Sequence, residues 1–137
     1  MDYNKPLAII FNPNIGFKRN VRPMISQRLE EAKIPYKFLL SERKYHTYDL
    51  ALELEMDKYS ALIAVGGDGT FHEVVNGMLN RKDGRRMPVG FIPNGSGNDT
   101  LRSFDVYDLN KAMDYIVKGD ILKIDATRLL IDYETTD

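Results

Sequence analysis

A chain of 137 residues with 43% hydrophobic and 28% charged content can bury one core, and its 19 basic and 20 acidic side chains give no global attraction to nucleic acid or anionic membrane. It has no cysteine, which excludes a disulfide framework and thiolate metal sites. The longest apolar runs, LAIIF and ALIAV, are too short to span a bilayer. The opening MDYNKPLAII lacks the basic and long apolar regions of a secretory signal, so the expected compartment is the cytosol.

Strand-like and helix-like segments alternate along the chain. Leu7 to Phe11 is a continuous apolar run, the pattern of a strand buried on both faces. Val21, Ile25, Leu29 and Ala32 then recur at helical spacing, predicting a helix over Arg22 to Lys33 that Pro35 stops. Tyr36 to Leu40 reads as a second strand. The following YDLALELEM alternates like a strand, but Ala, Leu, Glu and Met favour helix, and a helix is expected. Ala61 to Val65 is the third strand. Phe71, Val74, Val75, Met78 and Leu79 fit one helical face, predicting a helix from about Thr70 to Asn80. The charged loop RKDGRR leads to a fourth strand, Val89 to Pro93. A short helical piece is expected near Leu101 to Phe104. Leu109, Ala112, Met113, Ile116 and Val117 mark a further helix ended by Gly119, and ILKIDATRLLI reads as a last strand.

Such alternation means an α/β fold with a mostly parallel sheet, whose ligands bind at the carboxyl ends of the strands. Four loops leave that edge: FNPNIG, the Ser41 loop, GGDGT and PNGSGND. In GGDGT, Gly66, Gly67 and Gly69 allow positive φ or close approach of a ligand, and the helix that follows offers N–H groups suited to phosphate. Thr70 can cap the helix or bind an anion. Asp68 would repel phosphate directly, but it becomes sensible as a Mg²⁺ ligand or as a proton acceptor for an attacking hydroxyl. A tight turn with Asp68 as helix N-cap explains the same residues. Taken alone, the stretch leaves both readings open.

PNGSGND repeats the pattern: Gly95, Ser96 and Gly97 can present N–H and hydroxyl groups, and Asn98 and Asp99 can cap or coordinate. Alone it reads first as a glycine-rich loop with a helix cap. Asn12 stands at the tip of the first strand. Lys18, Arg19 and Arg22 read as a solvated basic loop, and Ser41 as either a hydroxyl donor or a cap. Neither histidine has the spacing of a catalytic triad or metal site; His72, beside an apolar stripe, reads as structural. Glu73 reads as surface or capping, and Arg81, Lys82, Arg85 and Arg86 as a solvated loop.

Together, FNPNIG, LSER, VGGDGTFHEVVNGM and IPNGSGND resemble, in order and spacing, the diacylglycerol kinase catalytic domain family, which includes sphingosine and ceramide kinases and bacterial lipid kinases. The core GGDGT is shared with NAD kinases and phosphofructokinases, whereas the extended elements resemble the lipid kinase branch. The resemblance implies a Rossmann-like three-layer domain of the phosphofructokinase and NAD kinase type. It places ATP across the carboxyl edge, with Asn12, Ser41, Gly66, Gly67, Gly69, Thr70, Gly95 and Ser96 at nucleotide-contacting positions. Asp68 matches the family's acid for Mg²⁺ or hydroxyl activation, and Asp99 and Asp125 match acidic positions linked to Mg²⁺. The implied reaction moves the ATP γ-phosphoryl group to a lipid hydroxyl, of a sphingoid base or diacylglycerol, with peripheral membrane contact in the intact enzyme.

Ile15 stands where the first motif commonly has a small Ser. The resemblance further implies an ATP-binding domain over 1–120 and the start of a second, β-rich domain over 121–137, so that the chain is expected to be a truncated enzyme with weak nucleotide binding. A homo-oligomer or larger assembly is compatible with this. The other readings are a non-catalytic nucleotide-binding or scaffold module and, against the FNPNIG and PNGSGND elements, an NAD kinase.

Overall fold

A computed structural model describes residues 4–12, 21–43, 45–93 and 109–119. Four parallel strands, β1 (Leu7–Phe11), β2 (Tyr36–Leu40), β3 (Ala61–Gly66) and β4 (Val89–Pro93), pair in the order β2-β1-β3-β4. Helices α1 (Val21–Glu31) and α4 (Leu109–Lys118) cover one face, and α2 (His46–Leu52) and α3 (Asp68–Leu79) the other. The alternation of each strand divides the core accordingly. Leu7, Ile9, Phe11, Ile63 and Val65 pack with Val21, Ile25, Leu29, Met113 and Ile116. Ala8, Ile10, Leu62 and Ala64 pack with Ala51, Val74 and Met78. The chain turns back at β2, crossing β1 to reach β3. A sheet whose crossovers share one hand must move its helices to the opposite face at that reversal, and α2 and α3 do so.

The expected strands agree with the structure almost residue for residue, with β3 one residue longer. The helix ends differ for local reasons. Helix α1 stops at Glu31, before Pro35, in a paired-bond C-cap: Ile34 N–H donates to Leu29 O at 2.9 Å and Lys33 N–H to Glu30 O at 3.1 Å. Lys33 takes the left-handed position of that motif (φ 58°), and Ile34 buries beside Leu29. Helix α2 ends at Leu52 rather than running through Met56, because Arg81 donates to Ala51 O at 3.0 Å and to Leu52 O at 3.1 Å. The chain then drops Leu54 and Met56 into the core, with one 3-10 turn at Met56–Lys58.

The RKDGRR loop is bonded rather than merely solvated. Arg81, its side chain only 7% exposed, also chelates Asp83; Arg85 pairs with Asp57 at 2.7 Å, and Arg86 donates to Leu79 O, capping α3. Gly119 (φ 72°) ends α4 as expected, donating its N–H to Tyr115 O and Ile116 O. The expected Leu101–Phe104 helix, the last strand and the second domain at 121–137 lie outside the described residues. Among the described residues, no helix is long and apolar enough to cross a membrane.

Candidate functional site at the carboxyl edge

Strand register brings the expected loops to one edge. Phe11 pairs with both Leu40 and Val65, and Gly66 with Pro93, so Asn12, Ser41 and the GGDGT turn leave the sheet on the edge where β4 ends at Pro93. The reversal of strand order falls at β1, and the crevice between the ends of β1 and β3 is where open parallel sheets take ligands. Asn12 stands at that crevice, half-buried.

The glycine turn does not use Asp68 as its N-cap. Gly67, not Asp68, holds the N-cap position of α3 (φ −102°, ψ −164°), its carbonyl accepting from Phe71 N–H at 3.1 Å. Asp68 is the first helical residue, half-buried in the first turn. The capping explanation for this carboxylate therefore fails. Among the described residues, positive φ is found in glycines only at Gly84 and Gly119, so Gly66, Gly67 and Gly69 are not there for backbone freedom. Gly66 is there for space: a Cβ would lie 2.6 Å from Thr70 Oγ1 and 2.8 Å from Thr70 Cβ, because Thr70 folds back over the strand end. Gly69 is exposed, and a Cβ on it would meet no atom within 4 Å. No neighbour within the described chain demands a glycine there. The first-turn N–H groups of Gly69 and Thr70 lack intrahelical acceptors and carry the positive end of the helix dipole. Phe71 stacks edge-on against Phe91 of β4, with centroids 3.8 Å apart, which fixes the helix start between β3 and β4.

Ser41 follows β2 with its N–H donated to Phe11 O at 2.9 Å. It is 2% exposed, and its hydroxyl has no hydrogen-bond partner among the described residues. A buried hydroxyl without a partner costs about 1–3 kcal/mol, a penalty that a bound polar group removes. The residues expected at nucleotide thus fit a phosphate-bearing ligand on two counts among the described residues, the open space at Gly69 and the unpartnered hydroxyl of Ser41. Of the acidic residues expected at Mg²⁺, Asp68 is on this edge; Asp99 and Asp125 lie outside the described residues, as do Gly95, Ser96, Ile15, Lys18 and Arg19.

Other expectations shift. Arg22 is exposed, as expected, and also lies over the Phe38 ring, 4.6 Å from its centroid. His72 is exposed and outside the core, 6.0 Å from the Phe71 ring. Glu73 is half-buried and accepts a hydrogen bond from Thr47 Oγ1, joining α3 to α2. His46 accepts Glu42 N–H on Nδ1 at 2.8 Å. The sequence reading assigned neither contact; the one signal for the latter is a ring acceptor four residues beyond a loop N–H.

Residues 6–129 match the diacylglycerol kinase catalytic domain family. The chain belongs to that family. It is 35% identical over 134 residues to sphingosine kinase 1 of Mus musculus, covering 90% of this chain and 33% of the relative. It is 35% identical over 130 residues to a diacylglycerol kinase of Staphylococcus saprophyticus, covering 91% of this chain and 41% of the relative. A crystal structure of a diacylglycerol kinase from Bacillus anthracis superposes with a TM-score of 0.73 at 25% identity, covering 85% of this chain and 40% of that one. The chain thus spans well under half the length of these relatives, and the family agrees with the resemblance read from its loops.

Proposed function

We propose that this chain is the nucleotide-binding domain of an ATP-dependent lipid kinase that transfers the γ-phosphoryl group to a hydroxyl of a sphingoid base or a diacylglycerol. The observation that carries this reading is Gly69: an exposed glycine in the first turn of α3, without positive φ, whose added Cβ would meet no atom within 4 Å among the described residues, beside a half-buried carboxylate. A bare helix start lets phosphate oxygens reach backbone N–H groups, and the Ser41 hydroxyl adds a donor from the neighbouring loop. Phosphoryl transfer asks for in-line positioning and charge neutralisation more than for covalent chemistry. Asp68 would hold Mg²⁺ or accept the proton of the lipid hydroxyl. Mg²⁺, when bound, neutralises charge on the phosphate oxygens.

The test is a calorimetric titration of the chain with Mg·ADP, followed by incubation with labelled ATP and vesicles containing sphingosine or diacylglycerol. Binding in the wild type, weakened at least about tenfold in Asp68→Asn only when Mg²⁺ is present, supports the nucleotide and metal roles. Label appearing in one lipid supports the kinase reading and identifies the acceptor. Binding without transfer to either lipid, in a protein that carries this chain at the full length of its relatives, overturns the catalytic part and favours a nucleotide-binding module. Because Gly67 holds the cap, Asp68→Asn is expected to fold, losing about 1 kcal/mol or less of dipole interaction.

A further inference from the structure

The loop that carries Ser41 is fastened by the start of α2. Glu42 N–H donates to His46 Nδ1 at 2.8 Å, and His46 N–H donates back to Arg43 O at 3.1 Å, so the ring and its own backbone close a tight return. Between them Tyr45 sits in the left-handed region (φ 62°), a conformation a tyrosine does not choose unaided. Arg43 pairs with Asp49 one turn into α2. On the other side, Thr47 is 4% exposed and its hydroxyl donates to Glu73, which lies one helical turn beyond Thr70. Two adjacent residues therefore reach in opposite directions: His46 to the Ser41 loop, and Thr47 to the helix that begins with the Asp68–Thr70 turn.

We infer that His46 and Thr47 are positioning residues for nucleotide binding, setting the Ser41 hydroxyl against the α3 start across the carboxyl edge; this rests on the nucleotide-binding reading above. Ser41 and the α3 start stand on loops from different strands, and two loops held independently would each have to be ordered when ligand binds. A shared anchor at one helix start removes part of that ordering cost. The role of His46 needs Nδ1 as an acceptor, hence the tautomer with its hydrogen on Nε2. Asparagine places Oδ1 at the same bond distance from the backbone as Nδ1, so it can replace the acceptor without the ring. Alanine cannot.

The experiment compares the 137-residue chain with His46→Ala, His46→Asn and Thr47→Val. It follows Mg·ADP affinity by calorimetry, hydrogen exchange of the Glu42 amide by NMR, and thermal unfolding. His46→Ala is expected to lose Glu42 protection and about tenfold in affinity, the effect of one net hydrogen bond. His46→Asn should restore both, a rescue that a role in packing alone would not produce. Thr47→Val conserves volume and should weaken affinity while leaving Glu42 protection intact. Wild-type affinity in His46→Ala, or recovery of Glu42 protection in His46→Asn without recovery of affinity, overturns the inference. A wild-type chain that fails to bind Mg·ADP overturns the nucleotide reading itself and this inference with it. Should His46→Ala fail to fold, His46→Asn and Thr47→Val decide: wild-type affinity in Thr47→Val removes the link between the two loops.

Discussion

Gly69→Ala separates folding from function more sharply than any other change at this edge. The glycine is the second residue of α3, its φ is ordinary, and a Cβ there meets nothing within 4 Å. Alanine is preferred to glycine by about 1 kcal/mol inside a helix, and by part of that in the first turn. The variant should therefore unfold at the same temperature or up to about 4 °C higher, given roughly 3–5 °C per kcal/mol for a domain of this size. Its ligand should suffer. A phosphate oxygen hydrogen-bonded to the helix start lies about 2.9 Å from the amide nitrogen. A methyl group standing about 1.5 Å out from the backbone forces that oxygen away. Losing one charge-assisted bond at about 1.5–3 kcal/mol weakens Mg·ADP by roughly tenfold to a hundredfold. Calorimetry alongside a thermal melt checks both halves. A raised or unchanged melting temperature with Kd within twofold of wild type would refute the reasoning, because the bare surface would then serve no ligand. Gly66→Ala cannot make the same test: its Cβ collides with Thr70, so stability and affinity should fall together.

Gly77→Ala should behave in the opposite way to Gly69→Ala, although it too exchanges glycine for a better helix former. Its Cβ would press into Tyr48 O and approach Ala51 Cβ at 3.0 Å, so overpacking at about 1–3 kcal/mol outweighs the propensity gain and the melting temperature should fall by about 5 °C. Lys33→Gly relieves a left-handed residue in the α1 C-cap and should raise stability by about 1 kcal/mol in a urea titration; a loss would mean that the lysine stem packs in a way that its exposure does not suggest. Asp83 is held down to about 2 from its usual value, first by the Arg81 guanidinium and then by Arg85 N–H. A carboxyl whose folded value is depressed stabilises above its unfolded value and loses that effect as pH falls through the folded one. The urea midpoints of wild type and Asp83→Asn should therefore differ at pH 7 and converge between pH 4 and about 2; a gap independent of pH would exclude the ion pair as its source.

The two interior strands, β1 and β3, were legible because each is a short apolar run, and a strand buried on both faces has no other use for such a run. β1 and β3 are buried along almost their whole length, and their predicted limits needed at most one residue of adjustment. Helix ends were less legible because distant residues set them. Nothing between Leu52 and Met56 announces that α2 stops; the cause is Arg81, some thirty residues later, reaching back to two carbonyl groups. A lysine in a left-handed C-cap is equally opaque, since local preference names glycine for that position and would look to Pro35 for the stop. The basic loop misled for the same reason: four cations in six residues read as solvated, yet Arg81, Arg85 and Arg86 are engaged by helix ends and carboxylates.

At the site, position was readable and cause was not. The sequence places glycines at 66, 69 and 77 around one helix, and a single letter there covers three physical situations. Gly66 makes room for its own Thr70, Gly77 makes room for the backbone of α2, and Gly69 makes room for nothing in the described chain. Positive φ, the reason most often assigned to such glycines, applies to none of them. Only the first two can be explained by folding. Gly66 lets Thr70 fold back over the strand end, Gly77 lets α2 pack against the later half of α3, and a Cβ on Gly69 would meet no atom of the described residues. Ser41 shows the same asymmetry among hydroxyls. Thr47 and Ser41 are both buried on adjoining segments, but Thr47 has Glu73 as its acceptor and Ser41 has no partner among the described residues. A fold selected for stability alone would be expected to satisfy both or replace both by apolar groups. The open space at Gly69 and the unpartnered Ser41 hydroxyl fall on the same sheet edge, and the nucleotide reading proposed above assigns both to one phosphate-bearing ligand.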